Sequence, residues 1–313
     1  MSATVDQAWV YRFHDQILLT YQQMGSQLEG LIDQGMVHRN VSAAIDHHER
    51  LGLVMANDVV NPFGQTIVLN PPHSRRAATL VSSDATVLVS DEHTLRSMAN
   101  PQSPYTRTIV GAIGRRADKH IIDALGGNST SAAVTSGSGV ITYGSVALPS
   151  SQKIGTGVAI TLVNIIQAHQ KLSKNGVPVG PGVRKMLYSP GQEQDIMAIT
   201  QASSSDFTKN QIHDRGTIDG LTWQGFHWVS ISDEIQIDLS VVRRMLPLTS
   251  TNRKCYAFHT GAVGLSIGRP VGAPTIATRY DLQSDPLQIK QKMMQVATRV
   301  FEGGVVELSV LEN

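Results

Sequence analysis

Residues 54 to 100 of this 313-residue chain form a long, mostly polar run of strand-like pieces, and it leads directly into one helical pattern from Ser103 to Gly127. The run carries paired arginines, Arg75 and Arg76, and not one lysine. Its apolar pieces, Thr66 to Leu69 and Thr86 to Val89, are too thin to build a core. Compact domains rarely hold so long a segment without packing it. An isolated two-stranded hairpin is only marginally stable in water. The segment is therefore expected to be a two-stranded arm that finds its partner on another molecule, which points to assembly more than to catalysis.

The helix that follows is well punctuated. Ser103 is a candidate cap, Pro104 suits the first helical position, and Gly126 with Gly127 ends the pattern. Ile109, Ile113, Ala117 and Ile121 fall in one row, flanked by Val110, Ile122 and Leu125. Upstream, Val10, Phe13, Ile17, Tyr21, Met24, Leu28 and Leu31 recur at spacings of three and four, so 6–34 reads as an amphipathic helix. That stripe packs either on its own domain or on a neighbouring subunit. Residues 41–52 read as a hinge. A Gly-, Ser- and Thr-rich connector over 126–157 marks a domain boundary. Beyond it come a helix around 160–172, a buried strand at 184–188, a helix opened by Ser189-Pro190 and two strands meeting at Gly225. The order, without regular βαβ alternation, gives an α+β class.

Composition narrows the function. A formal net charge of +1 argues against wrapping nucleic acid, which needs concentrated lysine and arginine, and it suits dense self-association. The single cysteine, Cys255, excludes an intramolecular disulfide and reads as a buried structural thiol. No apolar run approaches the ~20 residues of a membrane span, and the first residues lack a signal-peptide pattern. Synthesis in the cytoplasm and work without a membrane are expected.

No catalytic constellation, cofactor loop or metal-ligand spacing emerges. GTGVAI at 155–160 lacks a third glycine, and GVPVGPGVRK at 176–185 has Met186 where a phosphate loop needs Ser or Thr. His47 and His48 are adjacent, with no HExxH, and read as surface or interface histidines. Asp233-Glu234 reads as a solvated turn. Trp223, Phe226 and Trp228 read as a packed sheet face rather than a stacking platform, because no basic residues flank them. Arg75 and Arg76 serve either solubility or bidentate contact with carboxylates of a neighbouring subunit at the arm's tip.

The order of elements resembles the major capsid proteins of tailed bacteriophages, the Hong Kong 97-type fold. The resemblance rests on the extended loop, the helix SPYTRTIVGAIGRRADKHIIDALGG, the run from KMLYSPGQEQDIMAI through GTIDGLTWQGFHWVSISDEI to YAFHTGAVGLSIGR, and the closing RVFEGGVVELSVLEN. It implies an N-terminal arm (1–53), an extended loop (54–100), a peripheral domain with a spine helix (101–149), an axial domain (150–270) and a return to the peripheral domain (271–313). It also implies a self-assembling icosahedral shell of hexamers and pentamers that encloses double-stranded DNA without sequence-specific binding. Arm residues Phe13, Ile17 and Tyr21 and loop residues Arg75 and Arg76 would contact neighbours, and Pro62, Pro71 and Pro72 would serve as hinge. The fold's prototype cross-links a loop lysine to a neighbour; with no lysine before Lys119, that bond cannot form from this loop. The short N-terminal segment implies a separate scaffolding protein, beside a portal protein and possible decoration (cement) proteins. The alternatives are the shell of an encapsulin-type nanocompartment and, in a different class, an α+β enzyme with an unrecognised site.

Overall fold

The computed structural model describes residues 23, 25–58, 64–66, 68–90, 102–134, 140–155, 157–199, 216–232, 234–238, 241–283 and 285–312. Strands β1 (Val37–Arg39), β2 (Ile45–Leu51), β3 (His73–Thr79) and β4 (Val81–Val89) precede helix α1 (Gln102–Gly126). Then come β5 (Ser129–Val134), β6 (Ile141–Val146), β7 (Lys153–Gly155), α2 (Leu162–Lys174), β8 (Arg184–Tyr188) and α3 (Pro190–Met197). Strands β9 (Thr222–Trp223), β10 (Phe226–Ser230), β11 (Glu234–Asp238), β12 (Val241–Arg244), β13 (Leu248–Thr249) and β14 (Asn252–His259) follow. The last are β15 (Val263–Arg269), β16 (Thr275–Thr278), β17 (Leu287–Arg299) and β18 (Val305–Leu311). Few helices and many strands make this an α+β protein.

The chain divides into two compact units. The smaller takes Ser82–Ala117 and Arg269–Met294, with the chain up to Ser26; the larger takes Gln27–Val81, Asp118–Gly268 and Gln295–Asn313. In the smaller unit β17 pairs with β16 and with β4. Along β4, Ser83, Ala85, Val87 and Val89 are the less exposed residues, the two-residue period of a half-buried strand. Ala85 packs against a cluster of Ile113, Ala117 and Met293. A Cβ added at Gly114 would stand 2.3 Å from the carbonyl carbon of Gly25, so glycine is required where the two backbones meet.

The larger unit holds a seven-stranded sheet in the order β7-β18-β14-β8-β10-β9, with β13 on β14. Its middle strand β8 is buried along its whole length. On this sheet α2 sets Ile165, Ala168 and Leu172 against Met186, Phe226, Trp228, Cys255, Val306 and Leu308. Phe226 and Trp228 are buried, and the Trp228 indole N–H donates to the Trp223 carbonyl at 3.1 Å, so the aromatic trio is core. Gln224 and Gly225 both have positive φ (51° and 79°), which makes the β9–β10 turn the type I′ form that matches strand twist. Cys255 is buried, as expected, and its thiol donates to the Gln192 side-chain oxygen.

Two buried arginines finish the helices. Arg299 donates to the carbonyls of Leu125 (3.0 Å), Gly127 (2.7 Å) and Ala124 (3.4 Å), the last turn of α1. Arg184 donates to the carbonyls of Pro178 (3.0 Å), His169 (3.4 Å) and Val177, beside the Ser173 hydroxyl at the end of α2. Both put a cation at the negative end of a helix; Arg299 satisfies last-turn carbonyls of α1 that lack intrahelical donors, and Arg184 carbonyls of the segment that follows α2.

Two expectations are corrected. The amphipathic α-helix does not continue through 34: the described end consists of two 3₁₀ turns, Glu29–Leu31 and Gln34–Met36. Gly25 in the left-handed region (φ 85°) and Asp33, whose carboxylate accepts from the Gly35 N–H, break the α-helical run. Leu28 remains buried, and the Asp118 carboxylate on α1 accepts from the Gln27 and Leu28 N–H groups at 3.0–3.1 Å. The expected hinge at 41–52 contains a strand, β2, that pairs residue by residue with β3 from Ile45↔Thr79 to Leu51↔His73. Residues 305–311, expected from the resemblance to belong to the return to the peripheral domain, lie between β14 and β7 in the seven-stranded sheet, where five of the seven are buried.

Candidate assembly surfaces

The arm expected at 54–100 is rooted earlier. Strands β2, β3, β5 and β6 form a four-stranded antiparallel sheet in that order, and the chain between β2 and β3 is the loop. Its root closes between Gly52 and Pro72, where the Gly52 N–H donates to the Pro72 carbonyl at 2.7 Å. A Cβ on Gly52 would lie 2.4 Å from the Pro72 ring, so the close crossing requires glycine. Above this root every described residue from Leu53 to Asp58, and from Gly64 to Asn70, is exposed. They include Leu53 (97%), Met55 (86%) and Val68 (86%), an apolar content that the described part of the chain does not cover. Leu51, Val134, Ile141 and Tyr143 add exposed apolar side chains on the same four-stranded sheet. Apolar groups left in water at this density mark interaction surfaces.

Arg75 and Arg76 are not at the loop's tip. Both stand in β3, paired to β2 on one side and β5 on the other. Successive side chains of a strand point to opposite faces, and the two arginines part accordingly. Arg76 turns inward, with 7% exposure, and grips the Glu302 carboxylate from Nε (3.0 Å) and from Nη2. Arg50 on β2 binds the other oxygen of Glu302 at 2.8 Å, donates to Ser74 Oγ at 2.9 Å and lies 5.8 Å over the Phe301 ring. Burial pushes the Glu302 carboxyl upward in pKa, but the hydrogen bonds and charge of Arg76, with Arg50, outweigh it and hold the group below the usual carboxylate range. One carboxylate thus clamps both strands at the loop's root. Arg75 faces out and pairs with Glu49, its register partner on β2, at 2.8 Å.

Of the other expected site residues, Pro71 and Pro72 sit at the root just before β3, while Phe13, Ile17, Tyr21 and Pro62 lie outside the described residues. His48 was misread as a surface or interface histidine: it is 2% exposed, with its ring over Gly264. His38, Asp46 and His48 have their ligand atoms within 4.8 Å of one another. Glu302 was missed because Arg50 and Arg76 lie 252 and 226 residues from it in the chain; His38, Asp46 and His48 are near in sequence, but they stand on strands of two different sheets. A period-two reading of HSRRAAT would have separated Arg75 from Arg76, and that signal was available.

A clamped β-hairpin root, a 25-residue helix and a mixed sheet with α2 across it define the Hong Kong 97-type fold. The fold agrees with a chain from Mycobacterium phage Che8 at TM-score 0.66 and 17% identity, covering 96% of this chain and 97% of that one. It agrees likewise with the capsid structure of cyanophage P-SCSP1u (TM-score 0.70, 14% identity, 99% and 95% covered) and the capsid asymmetric unit of cyanophage Pam1 (0.63, 12%, 100% and 98%). No curated protein sequence matches. The phage capsid protein family model matches residues 5–312, so the chain belongs to that family. It is a major capsid protein, a structural subunit of the phage head shell, and its place is the virion.

Proposed function

We propose that the subunit self-assembles into an icosahedral shell of hexamers and pentamers around double-stranded DNA, and does so without catalysis. The observation that carries this reading is the family match over 5–312, joined to the uncovered apolar residues above the Gly52–Pro72 root. Buried against a neighbour, Leu53, Met55 and Val68 would gain the ~1.5–3 kcal/mol each that a fully buried large apolar side chain contributes. Within residues 54–100 the chain between β2 and β3 supplies the projecting part of the extended loop; 101–149 supply the spine-helix region, 150–270 the axial domain, 1–53 the arm and 271–313 the return to the peripheral domain. Phe13, Ile17 and Tyr21 of the arm lie on a neighbour. Arg75, exposed beside Glu49, exchanges that partner for a carboxylate of the next subunit; Arg76 reaches a neighbour only by leaving Glu302. Pro62, Pro71 and Pro72 set the angle at which the loop leaves its root.

The chain has no lysine before Lys119, so contacts from the loop are noncovalent. A separate scaffolding protein directs curvature in the host cytoplasm, a portal protein occupies one vertex, and a decoration protein reinforces the mature surface. The test is electron microscopy of the purified chain, expressed alone and with its candidate scaffold. Closed shells or capsomers are expected. Discrete small globules under every assembly condition would overturn the proposal.

A further inference from the structure

We propose that His38, Asp46 and His48 form a binding site for a divalent transition-metal ion of the zinc class, tying the root of the loop to the β1–β15 pair. His38 lies on β1 opposite Ser266 of β15, whereas Asp46 and His48 lie two apart on β2, so their side chains share one face. An ion held by all three would join two sheets of the larger unit.

The donor set fits the ion. Two imidazoles and one carboxylate favour zinc, cobalt or nickel over magnesium or calcium, which take oxygen ligands. In a tetrahedral zinc site with bonds of about 2.0–2.1 Å, ligand atoms stand about 3.3 Å apart. Here His38 Nδ1 lies 2.7 Å and His48 Nε2 3.7 Å from Asp46 Oδ2, and all three atoms fall within 4.8 Å. These separations bracket the required spacing.

The site is built rather than incidental. Gly264 admits the His48 ring, since a Cβ there would stand 2.6 Å from it. Ser266 Oγ donates to Asp46 Oδ2 at 2.7 Å and lies 2.9 Å from His48 Nε2, while Asp46 Oδ1 accepts from the His47 N–H at 2.9 Å. The Asp46 carboxylate is thus oriented by hydrogen bonds from outside the donor set, as metal ligands are.

The two rings stack, with centroids 4.2 Å apart and planes 15° from parallel, and stacked rings do not aim their lone pairs at one point. His38 is the member that turns: its side chain is 40% exposed, whereas that of His48 is 2% exposed and fixed. The same exposure gives the ion its path in and leaves the fourth position to water. Each ring then carries its proton on the nitrogen remote from the ion.

The test uses the full chain without a histidine tag, stripped with chelator and titrated with Co²⁺ and then Zn²⁺, in unassembled subunits and in shells. The wild type is expected to take one ion per chain with the visible bands of tetrahedral cobalt, and to melt at a higher temperature with zinc. His38→Ala, at a half-exposed position, should fold, bind at least tenfold more weakly and lose the zinc shift. His47→Ala, on the opposite face, should bind as the wild type does. A folded wild type without stoichiometric uptake or tetrahedral bands would overturn the site, as would undiminished binding by His38→Ala. Uptake is counted per chain, so the result is independent of whether shells form.

Discussion

Glu302 separates the energetics of folding from those of assembly. Removing it leaves the Arg76 guanidinium, almost fully buried, without its counter-charge. Breaking a buried pair from one side costs roughly 3 kcal/mol, so Glu302→Ala should lower the denaturant midpoint of the unassembled subunit strongly. Replacing both partners, as in Arg76→Met with Glu302→Leu, should recover much of that loss. The Glu302 carboxyl is held below its ordinary value of 4.5, so the unfolded chain takes up its proton first as pH falls. The stabilisation is full above that value and is lost as pH drops through the lower folded-state pKa. A melting series in acid should therefore show a steeper decline for the wild type than for the Met/Leu pair. Arg75 is the contrasting case. Its ion pair with Glu49 is solvated on both sides, and such pairs contribute ~0–1 kcal/mol. Arg75→Glu should leave subunit melting nearly unchanged and weaken shells, read by sedimentation after mild denaturant. Intact shells of wild-type stability would remove its proposed contact.

At the scale of elements, ordinary propensity rules meet local packing. Glycine inside a helix is worse than alanine by ~1 kcal/mol, so propensity alone favours Gly114→Ala. The Gly25 backbone is in the way, and the substitution should destabilise instead, visible as a lower melting temperature. The β9–β10 turn offers the reverse. Gln224 holds a left-handed conformation that asparagine adopts more readily, so Gln224→Asn should stabilise by up to about 1 kcal/mol in denaturant titrations. Helix α1, strand β8, the bend at Gly225 and the buried Cys255 were legible because each writes its period or its breaker residue into adjacent positions. The loop's root was not. Register partners such as Glu49 and Arg75 are separated by a stretch whose length the strand pattern does not fix. Glu302, which clamps that root, sits in a short 3₁₀ turn with no periodicity at all. The helical stripe before residue 34 misled because spacing records burial, and Leu28 is buried without an α-helix beneath it.

For the whole molecule, stability and assembly should be separable by residue choice. Leu53, Met55 and Val68 are exposed in the subunit, so changing all three to serine should not lower its melting temperature. If they seat against a neighbour, the triple variant should fail to form shells under conditions where the wild type assembles, as read by sedimentation. Assembly at the wild-type level would exclude that role. The place of β18 carries a different consequence. It is inserted between β7 and β14, with Glu307 opposite both Lys153 and Tyr256, so strands from distant parts of the chain become neighbours only through it. Such long-range pairing forms slowly, after the loop-closure entropy has been overcome. On the ribosome, β7 and β14 emerge before the strand that unites them. The sheet of the nascent chain therefore stays open between β7 and β14 until residues 305–311 are made.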